Sequence, residues 1–285
     1  SGVLQYYNYV NGVYVPDLMN RYQTIDAVGR VHDANGNVTD DGTFLFAYNY
    51  RNQLVETRRK SDSVLVARYW YDALGRRVRK DRLDAQGLVV GFTDFCFDGP
   101  DIIAEWDETG TYTSTVVNGT GIDEPLSYDR ALAGGGTARY FYHDDALGSV
   151  CLVTDGAGAN VEKYDYSEYG MPTVSAWDPQ AGGGVGAWAA GVVGGASAIG
   201  NTRMFTGREW DAEIGSCFYR ARHYDPGSGR FVSPDPLGHH SDGLLNRYRA
   251  VLGDPVSLID PLGLEPEYLK YKGDWLRGLV QEMSD

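Results

Sequence analysis

Basic residues are in short supply: 25 lysines and arginines face 39 aspartates and glutamates, a formal net charge of -14. A nucleic-acid binder is expected to present a clustered basic face, so composition argues against that class and favours solubility and a basic partner or cargo. Cysteine is scarce as well. Cys96, Cys151 and Cys217 stand far apart, with no Cys-x-x-Cys pair, which excludes a disulfide framework or a zinc knuckle and leaves three small buried hydrophobes. The five histidines, His32, His143, His223, His239 and His240, have no ligand spacing, and the His239-His240 doublet reads as a solvated turn. No metal or organic cofactor is implied. A long hydrophobic run is missing too: the Gly- and Ala-rich stretch 181–200 is too short and too rich in glycine to span a membrane. No signal peptide is visible and the chain begins at Ser1, so it reads as the C-terminal portion of a larger polypeptide.

Glycine (37) and tyrosine (21) are plentiful, and the tyrosines recur beside Asp, Asn or Gly, the texture of many short strands joined by tight turns. Tyr6 to Val10 leads into Asn11-Gly12, a favoured hairpin dipeptide, and then Val13 to Val15. Phe44 to Tyr50 roughly alternates apolar and polar residues, and Phe95 to Asp107 reads as strand, turn and strand. The clearest internal echo is Asp72-Ala-Leu-Gly75 against Asp145-Ala-Leu-Gly148, each following a Tyr-rich strand. Looser copies centre on His32-Asp33, Tyr48-Asn49 and Phe97-Asp98. Units of this kind cannot bury an apolar face alone, so they stack. The expectation is one continuous sheet with two differently composed faces and no substantial helix between residues 20 and 130. A boundary is expected where residues 118–138 turn small and polar, ending in Gly134-Gly135-Gly136, and the 181–200 stretch reads as a loop or insertion. In the tail, Asp274 can cap a helix whose apolar face carries Leu276, Leu279, Val280 and Met283.

The densest run of punctuation extends from Arg222 to Leu264: Arg222-His-Tyr224-Asp225-Pro226, Gly229-Arg230-Phe231, Pro234-Asp235-Pro236-Leu-Gly238, Asn246-Arg-Tyr248, Asp254-Pro255 and Asp260-Pro261-Leu262-Gly263-Leu264. Taken singly, each Asp-Pro-Leu-Gly tetrad is a turn, in which Asp accepts a local backbone bond, Pro fixes φ and Gly supplies a positive φ.

The ordered string resembles the C-terminal signature of the Rhs/YD-repeat family, which includes bacterial Rhs toxins and the C components of Tc toxins, and the hairpin units resemble YD repeats over most of residues 20–264. The resemblance implies an all-β fold, with hairpins coiled into a continuous sheet that forms part of a hollow shell closed by an Rhs-associated core domain. It divides the chain into repeats at 1–130, the core domain at 131–264 with the Gly/Ala-rich insertion near 173–201, and a tail at 265–285 that starts a passenger or is a remnant. It further implies a single-turnover, aspartic-type self-cleavage with carboxylates at Asp235 and Asp260, a supporting guanidinium at Arg222, and a cut between Leu264 and Glu265. Partners would be the chain's own upstream repeats, a C-terminal passenger and a delivery or secretion apparatus, in a bacterial protein that is secreted or displayed. Family members commonly carry Asn-Pro at the position of Asp254-Pro255 and a second Tyr at Ala250. A different class also fits: a non-proteolytic cell-surface or extracellular structural protein, like wall-associated YD-repeat proteins and teneurins.

The chemistry can be argued without the family. Peptide hydrolysis by carboxylates needs one group ionised to activate water and one protonated to donate, and two aspartates held close together share a proton because both cannot ionise. An arginine beside them would make the two inequivalent.

Overall fold

The computed structural model describes residues 28–237 and 246–264, positions 21 and 23–25, and the backbone strands at 6–7, 9–10, 13–14 and 267–268. Glu265, the His239-His240 doublet and the expected tail helix lie outside the described residues.

The chain is all-β, and its main element is a 16-stranded sheet. From Val31–His32 to Pro172–Asp178 each strand pairs antiparallel with its sequence neighbour. Ala187–Trp188 and Val192–Val193 then both pair with Pro172–Asp178. Among the described residues between 20 and 130 there is no helix. Strand alternation gives the two faces different compositions: along Leu65–Tyr71 the buried side chains are Leu65, Ala67 and Tyr69, while Trp70 faces solvent.

One turn closes many of these hairpins. The Oδ1 atom of Asp72 accepts the amides of Leu74 and Arg76, and Gly75 donates to the Asp72 carbonyl with φ +86°. Asp84, Asp107, Asp145 and Asp155 repeat the pattern with Gly87, Gly110, Gly148 and Gly158. The carboxylate satisfies two amides that the ladder leaves unpaired, and glycine takes the left-handed position that a side chain would strain. Because neighbouring strands alternate in direction, successive turns fall on opposite rims. Turns at 33–37, 49–53, 72–76, 99–100, 119–124, 145–149 and 167–171 share one rim, and turns at 84–88, 107–111, 132–136 and 155–159 share the other.

The sheet curls. Tyr248 donates to the Gly36 carbonyl (2.6 Å) near one end of the sheet, and Tyr224 donates to the Tyr169 carbonyl (2.9 Å) near the other. Yet Tyr248 and Tyr224 flank one short strand, each paired with Phe231 on an opposite edge. Laid flat, the dozen intervening strand spacings would span roughly 55–60 Å. The sheet therefore wraps around what these tyrosines belong to: a C-terminal module, residues 202–264, built on a four-stranded sheet of Glu209–Asp211, Ser216–Tyr219, Arg222–Asp225 and Arg230–Phe231. Val150, Val153, Tyr164 and Val174 of the wall pack there against Met204, Trp210, Cys217 and Phe231 of the module. Of the three cysteines only Cys217 is fully buried; Cys96 and Cys151 are half-buried.

Residues on either side of the expected 130/131 boundary belong to the same sheet. Tyr112–Asn118 pairs with Pro125–Ala131, which pairs with Thr137–Asp144, and the glycines at 134–136 form the intervening turn with Gly135 and Gly136 at positive φ. The expected loop at 181–200 likewise carries two short strands besides a tight turn at Ala181–Gly184 whose glycines sit at positive φ. Its small residues have a packing reason. Trp188 meets Trp177 edge-on at 5.0 Å, and a Cβ on Gly186 would sit 2.2 Å from the Trp177 ring. Buried Glu162 pins the end of this segment, accepting from the Ser197 hydroxyl (2.7 Å) and the Ala198 amide (2.7 Å).

Candidate active site

The hairpin of Ser216–Tyr219 and Arg222–Asp225 turns through Arg220 and Ala221, with Arg220 at φ +48°. That tight turn presents Arg222 inward, where it is 4% exposed and its guanidinium lies 3.6 Å above the Phe231 ring. Arg222 Nη2 is 3.0 Å from Asp235 Oδ2 and 3.6 Å from Asp260 Oδ2, so one nitrogen touches both carboxylates. Asp235 is 5% exposed and Asp260 is 2% exposed. Each aspartate also performs the turn role read from its tetrad: Asp235 Oδ1 accepts the Leu237 amide and Asp260 Oδ1 accepts the Leu264 amide, both at 2.9 Å.

The three residues assigned to chemistry therefore meet, although 25 positions separate the two aspartates. Leu264 is tied to one of them through its own amide. The segment folds back here as well: Leu258–Ile259 pairs with Glu267–Tyr268, so residues 260–264 lie in the bend of a hairpin. Burial pushes the Asp260 carboxyl up, against the pull of Arg222 and of its backbone bond to Leu264, with Asp235 adding to the rise. Burial lowers the Arg222 guanidinium to about 10, against the pull of the two carboxylates, which leaves it charged at neutral pH. The pair is asymmetric: Asp235 lies nearer the cation, and Asp260 is held toward its protonated form. Among the described residues no cluster of His, Cys, Asp and Glu could hold a metal ion.

Reading the sequence missed the surroundings of this triad. Arg247 donates to the Asp235 carbonyl (2.7 Å) and its own carbonyl accepts from both the Asp235 amide (2.9 Å) and Arg222 (3.1 Å), locking the tetrad to the Asn246-Arg-Tyr248 run. Arg220 was missed as well, although an Arg-Ala-Arg run at a hairpin turn is a signal that two guanidiniums can reach the same neighbourhood. His223, next to Arg222 but on the opposite face of its strand, points to Asp211 (3.5 Å) and takes no part.

No family model matches the chain. It is 28% identical over 251 residues to the tRNA3(Ser)-specific nuclease WapA of Bacillus spizizenii, covering 87% of this chain and 10% of that protein. It is 28% identical over 242 residues to double-stranded DNA deaminase toxin A of Burkholderia cenocepacia, covering 79% and 16%. Among solved structures, the Photorhabdus luminescens Tc holotoxin pore superposes with a TM-score of 0.60 at 24% identity, covering 83% of this chain and 11% of that one. The chain thus spans a tenth to a sixth of the length of these curated relatives. Its curled antiparallel wall fits a β-shell of the kind found in those toxin assemblies, and its relatives are proteins of the Rhs and Tc toxin type.

Proposed function

We propose that this chain is the C-terminal part of an Rhs-type toxin shell that encloses a passenger joined at its C-terminal end and frees it by one intramolecular cut between Leu264 and Glu265. The observation that carries the reading is the single Arg222 nitrogen in contact with both Asp235 and Asp260, with the Leu264 amide on the second of them. In this mechanism the ionised carboxylate takes a proton from water as its oxygen attacks the Leu264 carbonyl carbon. The protonated carboxylate then gives its proton to the departing Glu265 nitrogen, the C–N bond breaks, and a Leu264 carboxylate and a Glu265 amine result. Asp235, nearer the cation, is the base, and Asp260, pushed toward protonation by burial, is the acid. The reading of a toxin shell with a C-terminal passenger, in a bacterial protein that is secreted or delivered, is supported by the toxin relatives, whose full lengths reach far beyond this segment.

The test is the intact mass of purified, refolded protein over time. Asp235→Asn and Asp260→Asn each abolish the cut in a folded chain, because Asn neither takes up nor gives a proton at working pH. Asp254→Asn, in another Asp-Pro turn of the same stretch, leaves the cut unaffected. Since Asp260 must hold a proton and its pKa is raised, cleavage slows as the pH rises through that raised value. A Leu264 terminus appearing in folded Asp235→Asn protein would sink the assignment.

A further inference from the structure

The peptide segment leading to the proposed cut is gripped at three successive carbonyls by three successive residues of the 216–225 hairpin. Arg220 Nη1 donates to the Pro261 carbonyl (2.5 Å), the Ala221 amide to the Leu262 carbonyl (3.2 Å), and Arg222 Nε to the Gly263 carbonyl. The approach is close enough to demand glycine at 263. Its φ is +66°, and a Cβ there would lie 2.3 Å from the Tyr219 carbonyl oxygen. The Ala221 amide is hairpin backbone, and the Arg222 donor belongs to the arginine of the proposed dyad. The third connects elsewhere.

Arg220 uses all five of its N–H donors. Nη1 and Nη2 grip Asp123 in a two-point bond, both at 2.7 Å; Nη2 also reaches Asp101 (3.1 Å), Nε reaches the Pro100 carbonyl (3.2 Å), and the remaining Nη1 proton goes to Pro261. Four of the five bonds therefore go to two turns of the wall, at 99–101 and 119–124, which lie about 100 to 120 positions earlier in the chain. The 119–124 turn is itself fixed, because Arg208 also binds Asp123.

We propose that Arg220 is a positioning residue for the cut, one that registers the 260–264 segment against the wall so that the Leu264 carbonyl is aligned with the dyad only when the module is seated on its shell. This rests on the self-cleavage reading above. Arg220 touches neither Asp235 nor Asp260 in any of these five bonds, so its effect is on alignment and not on proton transfer. The chemical logic is that a guanidinium in a fixed fork spans two acceptors a set distance apart, which a lysine ammonium cannot do. The wall's completion thereby becomes a condition for release of whatever lies beyond Leu264.

The experiment times the cut by intact mass in the full 285-residue chain carrying Arg220→Gln, Arg220→Lys or Asp123→Asn, with Asp235→Asn in parallel. Folding is checked by circular dichroism. Arg220→Gln is expected to slow the cut roughly 10- to 100-fold. Arg220→Lys should recover only part of that loss, and the pH profile should keep its wild-type midpoint, whereas a change in the electrostatics around the dyad would move the midpoint. Asp123→Asn, which keeps the shape of the turn and weakens the two-point grip, should slow the cut in the same manner and carries the test if Arg220→Gln does not fold. Wild-type rates in folded Arg220→Gln or Asp123→Asn protein overturn the role given to Arg220. A shifted pH midpoint would also overturn it. Cleavage in Asp235→Asn overturns instead the dyad on which it rests.

Discussion

Along the wall, carboxylates act at home: the Asp72, Asp84, Asp107, Asp145 and Asp155 side chains each bind amides two and four residues ahead, and the hairpin closes on itself. At the junction of wall and module an aspartate works at long range. Asp211, 1% exposed, takes Arg77 on one oxygen and Lys80 on the other (2.7 Å), partners 134 and 131 positions away. Lys80 continues to Glu213 (2.6 Å), and the tilted rings of Tyr69 and His223 meet beside the cluster at 5.2 Å. The first kind of bond shapes a unit, and the second joins the sheet to what it encloses. A wall hairpin that loses its carboxylate exposes amides to water. The junction, once it loses one, strands buried cations, and that difference sets the scale of the expected effects.

The largest stability loss is expected for Asp211→Asn, which leaves Arg77, 2% exposed, without its counter-charge. Removing one partner of such a pair typically destabilises by about 3–5 kcal/mol. Denaturant unfolding checks it, and a loss under about 1 kcal/mol would erase the distinction between wall and junction. The pH dependence has a definite sign. Burial pushes the Asp211 carboxyl up, but Arg77 and Lys80 outweigh burial and hold it well below the usual range. Its contribution is therefore complete above the ordinary aspartate pKa and is lost as the pH falls through the depressed value. Wild-type protein should lose stability on acidification more steeply than Asp211→Asn.

Next in size is a contrast between two glycines of positive φ. Gly148 (φ +79°) faces open space at a wall turn, so Gly148→Ala should cost about 1–2 kcal/mol for the backbone alone. At the junction, a Cβ on Gly207 (φ +71°) would sit 2.4 Å from the Asp123 carbonyl oxygen, so Gly207→Ala should lower the melting temperature several degrees further. Equal shifts for the two would mean that the module rides loosely on the wall. The smallest effect is expected for Arg139→Ala, which removes an exposed pair with Asp129 (2.6 Å). Its unfolding midpoint should be unchanged at physiological salt, where such surface pairs are screened.

The same split explains what could be read from the chain before folding. The wall was legible because its code is short: an aromatic residue, an aspartate and a glycine within a few positions specify a strand end and the turn after it. Asp235, Asp260 and Arg222 were legible through the resemblance of an ordered string, which no single tetrad supplied. The junction was not, since Asp123 and Asp211 carry no local mark that separates them from other acidic residues of the chain. Their partners are fixed only once the sheet has curled. The small, polar stretch 118–138 suggested a boundary at its closing glycines, 134–136. Two of them serve a hairpin turn that needs positive φ, and composition alone does not separate those uses.

The two rims also differ in their freedom to change. The module's bonds to the hairpin turns reach Gly36, Asp101, Asp123, Ser149 and Tyr169, all on one rim. Across the sheet, Gly110, Gly135 and Gly158 have open space where a side chain would go, and Leu88 and Tyr112 are exposed. Extra residues inserted at 107–111, 132–136 or 155–159 would lengthen a loop whose ends stay paired, an entropic cost that grows only slowly with length. A labelling tag or an affinity handle belongs on that rim, where the molecule can be altered without disturbing the seat of the module.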